Sequence, residues 1–251
     1  MSGHQALIAS EYMDAAWKAV EQFPVDAVHI EAVMQSENVT FQVTDRDGGM
    51  PYVLRLHRPG YNSLEELESE RIWVRALEES GVPVPVSLET RQGGHFTQVD
   101  IPGTAEQRFA GMTTWLAGEP LGSFLQSCND ESERKHMFFR FGEIAAAFHK
   151  QSARWQAPSG FIRRRLGLES LLGEAPFWGR FWEHPELNAS ERALLLRSRQ
   201  SLRESLAAYG EQPDTFSLIH ADFTLDNIIF DGDQLAVIDF DDCAYGWHMY
   251  D

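Results

Sequence analysis

Cysteine and positive charge are both scarce in this chain. Cys128 and Cys243 are its 2 cysteines in 251 residues. They lie far apart and lack metal-ligand spacing, which excludes a disulfide framework or a zinc ribbon and fits a reducing cytoplasm. Against 38 Asp and Glu stand 21 Lys and Arg, a formal charge of −17. That balance disfavours nucleic acid and anionic membranes as partners. It would favour cationic acceptors such as amines if it clusters at a site, although acidity also serves solubility. No apolar run reads as a signal peptide or membrane span, so a cytoplasmic location without membrane attachment is expected. Repeats of fixed period, low-complexity tracts and a glycine-rich phosphate loop are missing as well. What remains is ordinary globular composition, 43% hydrophobic, with length for one large core or two modest lobes.

One constellation stands out near the end of the sequence. His220-Ala-Asp222-Phe-Thr-Leu-Asp-Asn227 is followed by Val237-Ile-Asp239-Phe-Asp-Asp242. An aspartate, an asparagine five positions on, and a second aspartate closing an apolar run are the parts that phosphoryl transfer needs. Such transfer asks for positioning and charge neutralisation: an oxygen cage for Mg²⁺ and one carboxylate aimed at the nucleophile. Asp222 fits the carboxylate that serves as base, and Asn227 and Asp239 fit the metal ligands. Asp231-Gly232 between the apolar runs Ile228–Phe230 and Leu235–Ile238 signals a hairpin that brings Asn227 and Asp239 side by side. His220 reads as a structural residue bonding loop backbone, since Asp222 already fills the base role. Asp241 and Asp242 either cap the following turn or face a cationic substrate group.

The earlier sequence supplies a plausible nucleotide clamp. Val28–Gln35, Asn38–Thr44 and Tyr52–His57 read as three antiparallel strands. Ser63-Leu-Glu-Glu66 is a capping box opening a helix that runs to Ser80, with Gly81 as its stop. Leu67, Val74 and Leu77 form that helix's apolar stripe. Glu70 falls on the same stripe and needs a partner, for which Arg55 on the preceding strand is the candidate. Further on, Ser132–Lys150 reads as a helix with the stripe Phe138, Phe141, Ile144, Ala145 and Phe148, and Asn188–Tyr209 as another behind the capping signature Asn188-Ala-Ser-Glu191. The aromatic-rich Trp155–Pro185, with Arg163-Arg-Arg165, is expected to pack on the larger lobe and shape an acceptor pocket rather than bind nucleic acid.

Leu218 to Asp251 resembles the aminoglycoside phosphotransferase and choline kinase superfamily, whose H-G-D-x-x-x-x-N and I-D-[FW] motifs carry the catalytic aspartate and metal ligands. Ala221 stands where that superfamily has glycine. Ile238–Trp247 and Tyr52–Tyr61 are similar to a bacterial branch related to type II homoserine kinases and stress-response Ser/Thr kinases. The resemblance covers residues 30 to 251 and implies an α+β, bilobal protein-kinase-like fold with a small antiparallel-sheet lobe and a larger, mainly helical lobe. The division it implies is a nucleotide-binding lobe over 1–116, a hinge at 112–118 and a catalytic lobe over 117–251. Superfamily members continue past the tyrosine and aspartate that match Tyr250-Asp251, so the large lobe is expected to lack its usual C-terminal helices, exposing apolar surface and favouring a homodimer.

Several roles follow from the resemblance alone. Arg55, braced by Glu70, takes the place of a lysine that orients the nucleotide phosphates, and arginine is not its equivalent. Gln35-Ser-Glu-Asn38 occupies the place of the glycine-rich loop, leaving phosphate contacts to backbone N–H groups or to Ser36 and Asn38. Thr114, Trp115 and Leu116 would meet the adenine at the hinge. The function expected is an ATP- and Mg²⁺-dependent phosphotransferase acting on a hydroxyl of a small metabolite such as an amino alcohol, homoserine-like compound, sugar or aminoglycoside. A bacterial Ser/Thr protein kinase and a nucleotide-binding pseudokinase are the alternatives.

Overall fold

The computed structural model describes residues 10–251. The chain begins with α1 (Ser10–Val20), β1 (Ala27–Gln35), β2 (Val39–Asp45), β3 (Tyr52–Leu56), α2 (Leu64–Glu79), β4 (Phe96–Asp100), β5 (Gln107–Thr114), β6 (Glu119–Pro120) and α3 (Leu121–Ser127). It continues with α4 (Glu131–Arg154), β7 (Arg165–Leu166), α5 (Leu168–Leu172), α6 (Ala189–Tyr209), β8 (Phe216–Ile219), β9 (Ile228–Phe230), β10 (Leu235–Val237) and β11 (Ala244–Trp247). These elements form two units, one of residues up to Ser127 together with Asp226–Asp241, the other of Cys128–Leu225 with Asp242–Asp251. The expected hinge, 112–118, falls inside the first unit.

In the first unit β1 to β5 make an antiparallel sheet in the order β1-β2-β3-β5-β4. Period-two alternation sets its faces: Val39, Phe41 and Val43 of β2 all turn inward. They share one core with Leu54 and Leu56 of β3, Ala110 and Met112 of β5, and Ala15, Ala16, Ala19 and Val20 of α1. Helix α1 is not among the elements expected from the sequence, because the alanines that let a helix approach a sheet closely leave a weak periodic signal. The Ser63 capping box is present, with the Ser63 hydroxyl accepting from Glu66 N–H at 3.3 Å and the Glu66 carboxylate accepting from Ser63 N–H at 2.8 Å. Helix α2 buries Leu67, Trp73 and Leu77, so Trp73 takes the place that Val74 was expected to fill. Trp73 meets Phe240 edge to face at 5.8 Å. In the same unit β6 pairs with β9, Glu119 opposite Phe230. Gly118, at φ +124°, makes that approach possible, since a Cβ there would sit 2.3 Å from the Phe230 carbonyl oxygen.

The second unit is built around β8, whose four residues are all buried. β11 pairs antiparallel to β8 and parallel to β7. Helix α4 starts one residue earlier than expected because Asp130 caps it, accepting from Ser132 N–H at 2.8 Å. Its inward residues are Met137, Ile144, Phe148 and Ser152. Phe138, expected on the stripe, is 50% exposed, and Met137, one position earlier, fills the inward site. Phe141 and Phe148 both pack on Phe223. Helix α6 carries the expected capping box at Asn188 and Glu191 but buries none of its residues. The basic run is used internally: Arg163 donates to the Cys243 carbonyl at 2.7 Å, Arg164 lies over Phe177, and Arg165 pairs with Glu211 and lies over Phe216. No described helix is long and apolar enough to cross a membrane.

Candidate active site

The β9–β10 hairpin does what its sequence suggested. Its loop spans four residues, Asp231 to Gln234, rather than a two-residue Asp-Gly turn. The Asp231 carboxylate caps it by accepting from Asp233 N–H at 2.9 Å and Gln234 N–H at 2.7 Å, and Gly232 takes φ +100°. The ladder pairs Val237 with Ile228 and ends with Ile238 N–H donating to the Asn227 carbonyl at 3.0 Å. Asn227 and Asp239 thus flank the same end of the hairpin.

Asp239 has φ +65°, one of two non-glycine residues with positive φ among those described. A left-handed aspartate is strained by about 1 kcal/mol or more and persists where its surroundings dictate it. Its Oδ1 accepts from Arg55 Nη1 at 2.7 Å. Burial opposes the charge on Arg55, but the carboxylates of Asp239 and Asp241, the hydrogen bond to Asp239 and the charge of Glu70 together hold the guanidinium more firmly protonated than usual. The carboxylate that Arg55 grips directly is therefore Asp239, with Glu70 acting on it through charge.

Asp241 neither caps an exposed turn nor faces outward. It is 7% exposed. Its Oδ1 accepts from Asn62 Nδ2 at 3.0 Å and its Oδ2 from Asn38 Nδ2 at 3.2 Å, while the His57 ring nitrogen lies 3.6 Å from Oδ1. Burial pushes the Asp241 carboxyl up, but His57, Arg55 and Asn38 outweigh it and hold the group well below the usual carboxylate range. Burial lowers the pKa of His57.

The residues assigned to nucleotide contacts divide. Asn38 is spent on Asp241 and on Arg58, whose N–H it accepts at 2.9 Å, whereas Ser36 is exposed on the β1–β2 turn. Thr114 and Trp115 give their N–H groups to the carbonyls of Val86 at 2.9 Å and Pro51 at 3.1 Å. Their backbone donors are already engaged by the protein. Leu116 follows them, partly exposed.

In the second unit Asp222 is exposed on the loop that follows β8. His220 is fully buried, and its Nδ1 accepts from Asp222 N–H at 3.3 Å, the structural role its position suggested. Ala221 is the other left-handed residue, φ +68°. What holds this loop is not legible in the local sequence. The Asp251 side chain, 1% exposed, accepts from Ala221 N–H at 2.7 Å, from His220 N–H at 3.1 Å and pairs with His149 at 3.0 Å. A lone aspartate 30, 31 and 102 positions from its partners carries no local signal. Burial raises the pKa of Tyr250, which Trp178 hydrogen-bonds and the charges of Asp242, Asp222 and Asp251 surround.

Among the described residues no group of three or more His, Cys, Asp or Glu could hold a metal alone. An amide and one carboxylate on a hairpin end suit a hard cation that keeps water and brings phosphate oxygens with it, as Mg²⁺ does.

The chain matches the model of the phosphotransferase enzyme family over residues 30–251. It is 28% identical to homoserine kinase of Pseudomonas aeruginosa over 222 residues, 86% of this chain and 60% of that protein. An uncharacterized protein of Synechocystis is 26% identical over 206 residues, 80% of this chain and 52% of that one. The chain thus spans between half and two thirds of the curated relatives it matches. The solved structure of a microcompartment-associated aminopropanol kinase is 33% identical with a TM-score of 0.78, over 95% of this chain and 72% of that one. An amicoumacin kinase in complex with AMP-PNP, Ca²⁺ and Ami shares the fold at 20% identity and a TM-score of 0.74, over 96% of this chain and 66% of that one. With its protein-kinase-like fold, the chain belongs to the phosphotransferase enzyme family.

Proposed function

We propose that this protein is an ATP-dependent kinase that phosphorylates a hydroxyl group of a small, amine-bearing metabolite, an amino alcohol in the first instance. The observation that carries the reading is the hairpin end where Asn227 and Asp239 flank one hydrogen bond while Arg55 grips Asp239. Asn227 and Asp239 would hold Mg²⁺, which supplies charge neutralisation on the β- and γ-phosphates when bound. Arg55, under the field of Glu70, is assigned to orient the phosphates, with Ser36 and the backbone of its turn covering them. The adenine edge is assigned to Leu116 and the residues after it, since Thr114 and Trp115 have committed their N–H groups.

Asp222 is the base. Its exposed carboxylate accepts the hydroxyl proton of the acceptor as the oxygen attacks the γ-phosphorus, and ADP leaves. The preference for an amine is supported by the Tyr250 neighbourhood, where the exposed Asp222 and the half-buried Asp242 put negative charge near an exposed tyrosine beside Trp178. The kinases named among the relatives act on homoserine, aminopropanol and amicoumacin.

The test is ADP release from Mg·ATP across amino alcohols, homoserine, sugars and aminoglycosides. Asp222→Asn is expected to lower acceptor-dependent release by about 10²- to 10⁴-fold with nucleotide affinity retained, and Asp239→Asn to weaken Mg·ATP binding itself. The two effects appearing reversed would overturn the assignment. Tight ATP binding without turnover on any acceptor would favour a pseudokinase.

A further inference from the structure

A buried carboxylate two residues beyond a candidate metal ligand is an unusual expense of polar group, and the site chemistry described so far does not use it. Both oxygens of Asp241 are engaged by side-chain amides, one from the β1–β2 turn and one from the loop between β3 and α2. Asn62 Nδ2 also reaches the Asp241 carbonyl at 3.1 Å. Asn38 is fixed in turn, because its Oδ1 accepts from Arg58 N–H. With 7% exposure and these partners, Asp241 is turned away from any substrate. What it touches is the framework that the strained segment must be built against.

Asp239 is pinned on both flanks. Before it, Ile238 is tied to Asn227 at 3.0 Å. After it, Phe240 is lodged against Trp73 and Asp241 is held by Asn38 and Asn62. A residue at φ +65° returns to an ordinary conformation when such constraints are removed. Its carboxylate would then swing away from the position it shares with Arg55.

We propose that Asp241, held by Asn38 and Asn62, is a positioning residue that locks Asp239 in its left-handed conformation and so presets its carboxylate for a divalent cation. This rests on the reading of Asp239 as a metal ligand. It also gives Asn38 a different role from phosphate contact: it links the turn over the phosphates to the segment that binds the metal.

The experiment is calorimetric titration of AMP-PNP at a series of Mg²⁺ concentrations, and once without Mg²⁺, on the full chain and on Asn38→Ala, Asn62→Ala, Asp241→Ala and Asp239→Asn. Folding of each is checked by circular dichroism. The Mg²⁺ midpoint is expected to rise about tenfold in Asn38→Ala and Asn62→Ala; in Asn62→Ala, which lies outside the turn over the phosphates, the Mg²⁺-free affinity stays within about twofold of the parent, a split that general destabilisation does not produce. Asp241→Ala should show the larger shift; should it fail to fold, the two asparagine variants decide. Unchanged midpoints in both, with Asp239→Asn abolishing the Mg²⁺ dependence, would overturn the positioning role alone. Full Mg²⁺ dependence in Asp239→Asn would overturn the metal reading and this inference with it.

Discussion

The two functional loops solve one problem with different parts. Each contains a non-glycine residue in the left-handed region, Ala221 in one unit and Asp239 in the other. A buried aspartate restrains each loop. Asp251 does so by accepting two backbone N–H groups of the loop itself, whereas Asp241 belongs to its loop and reaches out to side-chain amides on the surrounding framework. The first clamp replaces hydrogen bonds the loop would otherwise lack. The second anchors a loop whose own backbone is already carried by a hairpin. Loss of the first should therefore fall on folding and on the loop of Asp222, the proposed base, and loss of the second on the proposed cation ligand Asp239.

Removing the Asp251 carboxylate is expected to have the largest effect. Asp251→Ala leaves two inward N–H groups and His149 without their acceptor, at about 1–3 kcal/mol for each unsatisfied donor. Urea unfolding should show a loss of several kcal/mol, and kcat should fall with the nucleotide dissociation constant unchanged. A selective rise in the Mg²⁺ requirement instead would erase the contrast with Asp241. Next comes Phe148→Ala, expected to cost about 3–5 kcal/mol where the ring packs on Phe223, against less than about 0.5 kcal/mol for the exposed Phe139→Ala; thermal melts of both variants check it. Ala221→Gly is the smallest and most pointed change. Relief of the left-handed alanine, partly offset by the greater freedom of an unfolded glycine, should stabilise by about 0.5–1 kcal/mol. A lower melting temperature would mean that the loop is not strained at Ala221.

The sequence disclosed what is local and hid what is distant. Capping boxes at Ser63 and Asn188 and the β9–β10 hairpin are written within a few residues, so they could be read directly. The Asp222–Asn227 motif on which the proposed function rests is equally local, its two residues five positions apart. Phe138 was misassigned because a helix with Phe138, Phe139 and Phe141 on adjoining faces offers more than one apolar stripe, and only packing chooses. Helix α1 was missed because its buried face is mostly alanine. Asp251 and Asp241 were opaque for a different reason: the partners of the first lie 30, 31 and 102 positions away and those of the second 179 and 203. The strand position of Arg55 suggested Glu70 as its partner, while its hydrogen bond to Asp239, 184 residues on, appears only in three dimensions.

Gly118 sets a limit on how this chain can vary. Any side chain there would collide with the Phe230 carbonyl at 2.3 Å, and the backbone it would strain is already at φ +124°. The short strand β6 and the hairpin bearing Asn227 and Asp239 are thereby stitched at one point without a side chain. In a saturation library, codon 118 would hold to glycine although its neighbours are exposed, and a lineage that lost this glycine would first have to move the hairpin backbone at Phe230 and Asp231.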